Sequence, residues 1–311
     1  MKSLLSFKGP WAGLRVAWDD EDRFDEQTYR ADVSRCCEAG MPGVYTGGTT
    51  GEFYAMEFDE FQAITRATVE ECRKHGTPCA IGCSSTYTLG VCRRAAYAAE
   101  AGADAIQVAL PFWMEVVDHE IVPFFREVAR AAGGMALSVY ETTRAKRVLT
   151  LDQHRAIKDA APNYRMVKAN ASTLGNSVEG CRELSKLVSV FVGEDRWAEL
   201  GPVGAKGCCS SVVYWAPRFL LDLWQKVERQ NWTVVEAGTV KLQKLFAFVD
   251  KQIDGRNLLD SAVDRLGGIR RWLPQDQPAL SRPVLLRHAG RRGCPPPLVR
   301  QEFARTVGAI R

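Results

Sequence analysis

Two residues of this chain could do covalent chemistry together: Lys168 and, 28 positions earlier, Tyr140. Lys168 ends the short apolar run Tyr164-Arg165-Met166-Val167, and Tyr140 ends another that runs from Met135 to Val139. Burial disfavours the charged form of an amine and lowers its pKa, and the neutral amine is the form that attacks a ketone. A phenol beside it can give up and recover a proton. Taken alone, a lysine at a strand end is more often a snorkelling surface residue, its stem on apolar neighbours and its head in water. A third feature is Gly47-Gly48-Thr49-Thr50-Gly51-Glu52. Such a turn can aim backbone N–H groups at one point while two hydroxyls add adjustable donors, which suits a carboxylate or phosphate. Most Gly/Thr clusters are merely turns, so position in the fold has to decide its meaning.

Strand-like and helical patterns alternate along the chain with a period near thirty residues. Short apolar runs at Leu14–Trp18, Gly43–Thr46, Pro78–Gly82, Ala105–Ala109, Met135–Tyr140, Tyr164–Lys168, Val188–Val192 and Gly207–Ser210 read as eight strands. Between them Asp25–Ala39, Glu57–His75, Thr88–Ala101, His119–Ala132, Leu151–Ala160 and Leu174–Ser185 carry helical spacing, and two of these close on Gly40 and Gly102 as helix stops. Eight β/α units in order predict parallel strands under crossover helices, an α/β fold of the (β/α)8 TIM-barrel type. A doubly wound sheet is the alternative, but no Gly-x-Gly-x-x-Gly follows the first strand. Helical patterns at Pro217–Arg229, Thr233–Ile253 and Asn257–Leu266 then predict a C-terminal helical extension. The reading is a barrel over residues 1–220 carrying the active site and an extension over 221–311 ending in a basic tail. In a barrel the Gly/Thr turn falls at the C-terminal end of strand 2, the face where active sites gather.

Composition narrows the partners. The net charge, 41 − 37 = +4, is too small to imply nucleic acid. From Arg265 to Arg311 ten arginines face only Asp276 and Glu302, a solvated surface or a site for an acidic partner. Met1 to Pro10 lacks the apolar core of a signal peptide, and no stretch of about 18 apolar residues could span a bilayer. The ten cysteines form no Cys-x-x-Cys pair and have no histidine at zinc-ligand spacing. Free buried thiols in a reducing cytoplasm are expected, with no metal and no other cofactor.

With these residues in place, the chain resembles the dihydrodipicolinate synthase/N-acetylneuraminate lyase family of (β/α)8 enzymes over roughly Leu14 to Leu220. Gly48-Thr49-Thr50-Gly51-Glu52 matches the family's substrate-carboxylate loop, Tyr140 its fifth-strand tyrosine and Lys168 its sixth-strand Schiff-base lysine. Gly193-Glu194-Asp195 and Gly204-Ala205-Lys206-Gly207 follow the pattern around strands 7 and 8. The resemblance implies catalytic roles for Lys168, Tyr140 and Thr49, and substrate contacts from Gly48, Thr50, Gly51, Trp113, Arg144 and Cys209. It also implies a small 2-oxo acid substrate with an aldehyde partner, and a homodimer or homotetramer with Trp113 near the tight interface.

Two departures set this chain apart from the lysine-pathway enzymes. Leu110-Pro111-Phe112-Trp113 places an indole where those enzymes carry a relay tyrosine, and an indole donates but cannot shuttle a proton. Tyr140-Glu141-Thr142-Thr143-Arg144 replaces the expected asparagine with Glu141, read as surface-exposed with an extra acid or base near the site as the alternative, and shifts the arginine by about one residue. Four functions stay open: an aldolase using pyruvate as enamine, a dehydratase of a 2-keto-3-deoxy sugar acid using the same iminium and, less favoured, dihydrodipicolinate synthase proper or a silent barrel that only binds a ligand.

Overall fold

In the computed structural model, which describes residues 7–19 and 21–253, eight parallel strands close into a barrel in sequential order. The strands are β1 (Gly9–Gly13), β2 (Val44–Thr46), β3 (Cys79–Gly82), β4 (Ala105–Val108), β5 (Ala136–Tyr140), β6 (Tyr164–Lys168), β7 (Ser189–Phe191) and β8 (Ala205–Ser210). Helices α1 (Glu26–Glu38), α2 (Phe58–His75), α3 (Thr88–Ala101), α4 (Asp118–Ala131), α5 (Leu151–Ala160), α6 (Val178–Leu184), α7 (Trp197–Leu200) and α8 (Pro217–Glu228) follow the strands in turn. A long helix, α9 (Trp232–Ile253), packs against α7 and α8 as the described part of the C-terminal extension. The helix expected at Asn257–Leu266 and the arginine-rich tail lie outside the described residues.

The barrel interior is filled by Trp11, Tyr45, Ala80, Ala105, Met166 and Phe191. Trp11 stacks on Phe7 at 5.2 Å and meets Phe191 edge-on at 6.3 Å, so large rings fill the barrel interior. A separate, larger apolar layer joins the outer faces of the strands to the helices. In barrels of this architecture sites gather at the C-terminal mouth.

Two expected elements are corrected. The first strand is Gly9–Gly13, not Leu14–Trp18. Pro10 and two glycines have the composition of a turn, yet Gly9 to Ala12 pair with Gly207 to Ser210 of β8. Ala12 and Leu14 donate to the Gly43 and Tyr45 carbonyls, so Pro10 faces that side before β2 begins and its missing N–H leaves no gap. Leu14, Val16, Ala17 and Trp18 are buried as expected, but in an extended segment outside the sheet. The helix expected at Leu174–Ser185 is split into a 3-10 turn at Leu174–Asn176 and α6, where the Ser177 hydroxyl accepts from the Gly180 amide as an N-cap.

Strand β6 carries the feature that aims the lysine. Leu137 pairs with Tyr164 and Ser138 with Met166, so Arg165 is an extra residue in β6. The bulge resets the side-chain alternation. Tyr164 points outward to α5, where its hydroxyl lies 2.9 Å from His154 Nδ1, while Met166 points into the barrel. Lys168, two residues on, therefore also faces inward.

Candidate active site

Tyr140 and Lys168 are register partners at the C-terminal ends of β5 and β6. The Lys168 ammonium nitrogen lies 4.3 Å from the centre of the Tyr140 ring and 5.6 Å from that of Tyr45, which comes up from β2 inside the barrel. The Tyr140 hydroxyl is 3.5 Å from the Thr49 hydroxyl, reached across the mouth from the loop after β2. The residues predicted as nucleophile, proton carrier and hydrogen-bonding hydroxyl thus lie together at the barrel mouth, supplied by β6, β5 and the loop after β2.

The Gly/Thr loop is held tightly from below. Gly47 adopts φ +70°, and a Cβ on its neighbour Gly82 at the end of β3 would lie 1.9 Å from the Gly47 carbonyl oxygen. Only paired glycines allow that approach. Gly48 lies over the Tyr45 hydroxyl, and Gly51 packs against the Gly47 amide. The loop closes on itself through the Glu52 amide donating to the Thr49 carbonyl at 3.0 Å, and the Trp18 indole donates to the Glu52 carboxylate at 3.2 Å. Trp18, buried in the segment after β1, thereby braces the loop.

Cys209 on β8 packs against the interior aromatic cluster within the electrostatic reach of Lys168. Burial pushes its thiol up to about 11, against the pull of the Lys168 charge, so it is a neutral wall and no thiolate. Burial likewise pushes the Tyr45 phenol above its ordinary value, with Lys168 opposing. The buried Glu194 accepts a hydrogen bond from Ser210 and faces the cysteines of β8.

Above this floor opens a cavity of about 240 Å³, bounded by Thr49 and Tyr140 below and by Phe53, Tyr54, Phe112 and Arg144 around the sides. Arg144, expected to contact substrate, lies in that wall, on a short turn whose amide donates to the Thr142 hydroxyl. Trp113 does not. It is 73% exposed, its ring lies beside the Lys146 ammonium, and Phe112 lines the cavity in its place. In an irregular loop between a buried Pro111 and a buried Val116, nothing in the local pattern says which of two adjacent aromatic residues turns inward. Phe53 and Tyr54 were not picked out by sequence either, although they directly follow the Gly/Thr loop, and that adjacency was the available signal.

Glu141 is the other correction. It was read as exposed, but it is buried at 3% exposure behind the strand tips. Its amide donates to the Lys168 carbonyl at 3.0 Å, and its carboxyl oxygens face His154 Nε2 at 3.7 Å and the Leu149 amide at 3.4 Å. Burial raises the carboxyl to about 8 and lowers His154 to about 4, so both are neutral near pH 7.

The sequence profile of the Dihydrodipicolinate synthetase family matches residues 6–270. The chain belongs to this family. An uncharacterized DapA-like lyase of Pyrococcus abyssi is 27% identical over 240 residues, covering 76% of this chain and 79% of that protein. Among solved structures, a Ruminococcus gnavus sialic acid aldolase, a catalytic lysine mutant, superposes with a TM-score of 0.85 at 14% identity, covering 100% of this chain and 98% of that one. YagE, a prophage protein of the dihydrodipicolinic acid synthase family from E. coli K12 in complex with pyruvate, gives 0.80 at 18% identity, with 98% of each chain covered. Identities this low establish the shared barrel, and the family supplies a lyase of the Schiff-base class in general terms. Among the described residues no helix is long and apolar enough to cross a membrane.

Proposed function

We propose that this chain is a Schiff-base-forming lyase that makes or breaks a carbon–carbon bond at the carbon adjacent to the ketone of a 2-oxo acid such as pyruvate. The Lys168 amine adds to the ketone carbon, and the ketone oxygen leaves as water after protonation by way of Tyr140, which leaves an iminium. The iminium draws electrons from the adjacent carbon, so loss of a proton or cleavage of a bond there gives an enamine. Water then hydrolyses the iminium and returns the free lysine. The electron sink is the protonated nitrogen, so this reaction calls on no metal. Thr49 keeps the Tyr140 hydroxyl oriented, while Thr50 and the amides of Gly48 and Gly51 hold the carboxylate.

The observation that carries this reading is the register pairing of Tyr140 with Lys168, with Thr49 on the phenol oxygen. Borohydride reduction in the presence of pyruvate tests it. A mass increase on Lys168 is expected in the wild-type protein, and none in Lys168→Arg, whose guanidinium stays protonated. Absence of any adduct, or an adduct that persists in Lys168→Arg, would overturn the assignment. We also take the chain to be a cytoplasmic homodimer or homotetramer. Nine free cysteines among the described residues, seven of them buried, suit a reducing compartment. The exposed Trp113 and Met114 after β4, with Tyr87 and Leu89 at the start of α3, supply apolar surface for a second copy. Sedimentation velocity would test this, a monomer at micromolar concentration being the contrary result.

A further inference from the structure

Three of the buried cysteines come together at the end of the barrel opposite Lys168. Cys37 lies in the last turn of α1, Cys72 in the last turn of α2, and Cys79 opens β3. One helical turn before them α1 and α2 are fastened to each other, since Arg30 and the Ser34 hydroxyl donate to the buried Glu71 carboxylate at 3.0 and 3.1 Å. Gly76, at φ +67°, then turns the chain back toward β3, and the Thr77 amide donates to the Cys72 carbonyl at 3.0 Å. His75 Nε2 lies 3.2 Å from the Ser34 hydroxyl and pins this turn to α1. Side-chain hydrogen bonds link the thiols in series, Cys37 to Cys72 and Cys72 to Cys79, and the Thr77 hydroxyl also reaches Cys37.

The three thiols are not equivalent. Cys72 and Cys79 are each 1% exposed, whereas Cys37 keeps 8%. Donation by Cys72 and Thr77 onto the Cys37 sulfur, with His75 adding to the pull, lowers this thiol below its ordinary value against burial and the Glu38 charge. Cys72, lying between Cys37 and Cys79 and buried, is held protonated. Tyr29, which faces Cys72 and Cys79 from α1, is kept protonated by burial. The Schiff-base site uses none of these groups.

We propose that Cys37 and Cys72 are an oxidisable dithiol: a hydroperoxide reacts at Cys37, and Cys72 closes a disulfide that ties α1 to α2. The hydroperoxide is the oxidant, and the step balances with it. The Cys37 thiolate attacks one peroxide oxygen, the O–O bond breaks, and the leaving oxygen takes up the proton that Cys37 released. A sulfenic acid is left on Cys37. The Cys72 sulfur then attacks the Cys37 sulfur, an S–S bond forms, the S–O bond breaks, and hydroxide leaves with the Cys72 proton as water. The two thiols lose two electrons and the peroxide gains them. Oxidation starts at Cys37, the most exposed of the three, so the bond joins it to the thiol against it and does not join Cys72 to Cys79. Closure calls for side-chain rotation to the disulfide dihedral, on two helices already held together.

The test uses the full-length protein, first fully reduced. After exposure to hydrogen peroxide it is unfolded, blocked with iodoacetamide, digested and mapped by mass spectrometry. The expected product is a peptide pair joined through Cys37 and Cys72 and released by dithiothreitol, with the adjacent Cys36 carrying the iodoacetamide label. A second measurement separates this from simple accessibility. Cys92 on α3 is more exposed than Cys37, but burial raises its thiol. Iodoacetamide on the native protein near neutral pH should therefore label Cys37 about tenfold faster than Cys92. Both measurements are made on the wild-type chain and need no variant; Cys37→Ser should in addition abolish the joined pair, and Cys36→Ala should retain it. Faster labelling of Cys92, a bond between Cys72 and Cys79, or peroxide treatment that leaves Cys37 reduced or carries it to the sulfinic acid without a bond would each overturn the proposal.

Discussion

Replacing Glu141 by glutamine should remove a pH dependence of stability that the wild-type protein shows above neutrality. The carboxyl is enclosed between the end of β5 and α5, with His154 and, through it, the Tyr164 hydroxyl as its titratable neighbours. Its pKa rises from the ordinary 4.5 to about 8 on folding, so between those values the folded protein holds a proton that the unfolded chain has released. Stability contributed by Glu141 is therefore complete below pH 4.5, falls as pH rises through that window, and is level above about 8. His154 works in the opposite sense, since its pKa falls from 6.5 to about 4 and stability falls as pH drops through that range. The two slopes oppose each other from pH 4.5 to 6.5, and only the Glu141 slope remains from 6.5 to 8. Over that interval of about 1.5 pH units the loss is about 2 kcal/mol, taking about 1.4 kcal/mol per unit. Urea unfolding of wild type and Glu141→Gln at half-unit steps from pH 5 to 9 measures it. Because other titrating groups are common to both proteins, the difference between them isolates this carboxyl, and it should move in favour of the variant by about 2 kcal/mol between pH 6.5 and 8. In melting experiments this corresponds to roughly 3 °C for a chain of this size. Parallel pH profiles for the two proteins would refute the argument, because they would mean that Glu141 is ionised and solvated in the folded state.

Three other substitutions probe the mouth of the barrel. Tyr140→Phe keeps the ring beside Lys168 and removes the hydroxyl near Thr49, so turnover should fall by roughly 10²–10⁴-fold while slow borohydride trapping persists; activity within a few fold of wild type would make Tyr140 a packing residue. Thr50→Val should weaken 2-oxo acid binding by about 1–3 kcal/mol, whereas Thr49→Val should depress kcat more, through Tyr140; small and equal effects in steady-state kinetics would reduce the loop to a structural turn. Gly82→Ala puts a methyl group into the space of the Gly47 carbonyl, so it should destabilise the fold by about 1–3 kcal/mol and weaken pyruvate trapping, and an unchanged melting temperature would show that the loop can give way.

Lys168 and Tyr140 were legible as candidate site residues because residue types at strand ends are a local signal. Lys168 and Tyr140 each close an apolar run, and the alternation of runs with helical stretches was enough to put both at one end of a parallel barrel. The Gly/Thr loop was legible for the same reason, since its composition is that of a turn and its place directly after a strand can be counted along the chain. Local pattern went wrong at β1, where Pro10 and its flanking glycines carry the composition of a loop. That segment is a strand because β8 and β2 lie ready on its two sides, which is a property of the closed sheet and not of the five residues.

Direction and environment were decided only by the tertiary structure. The extra residue at Arg165 turns Tyr164 to α5 and Lys168 into the barrel, and such a reset of alternation shows only in the pairing with β5. Phe112 faces the cavity and Trp113 faces out because of how one short loop packs, although either order of two aromatic residues has the same composition. Glu141 is charged in every sequence scale, yet α5 covers it with His154 and holds it neutral. Sequence determined which groups could react and at which end of the barrel they stand, because residue type and strand period are written along the chain. Which of them meet, what walls surround them and which charges survive burial depend on neighbours tens of residues away, and only the closed barrel brings those neighbours together.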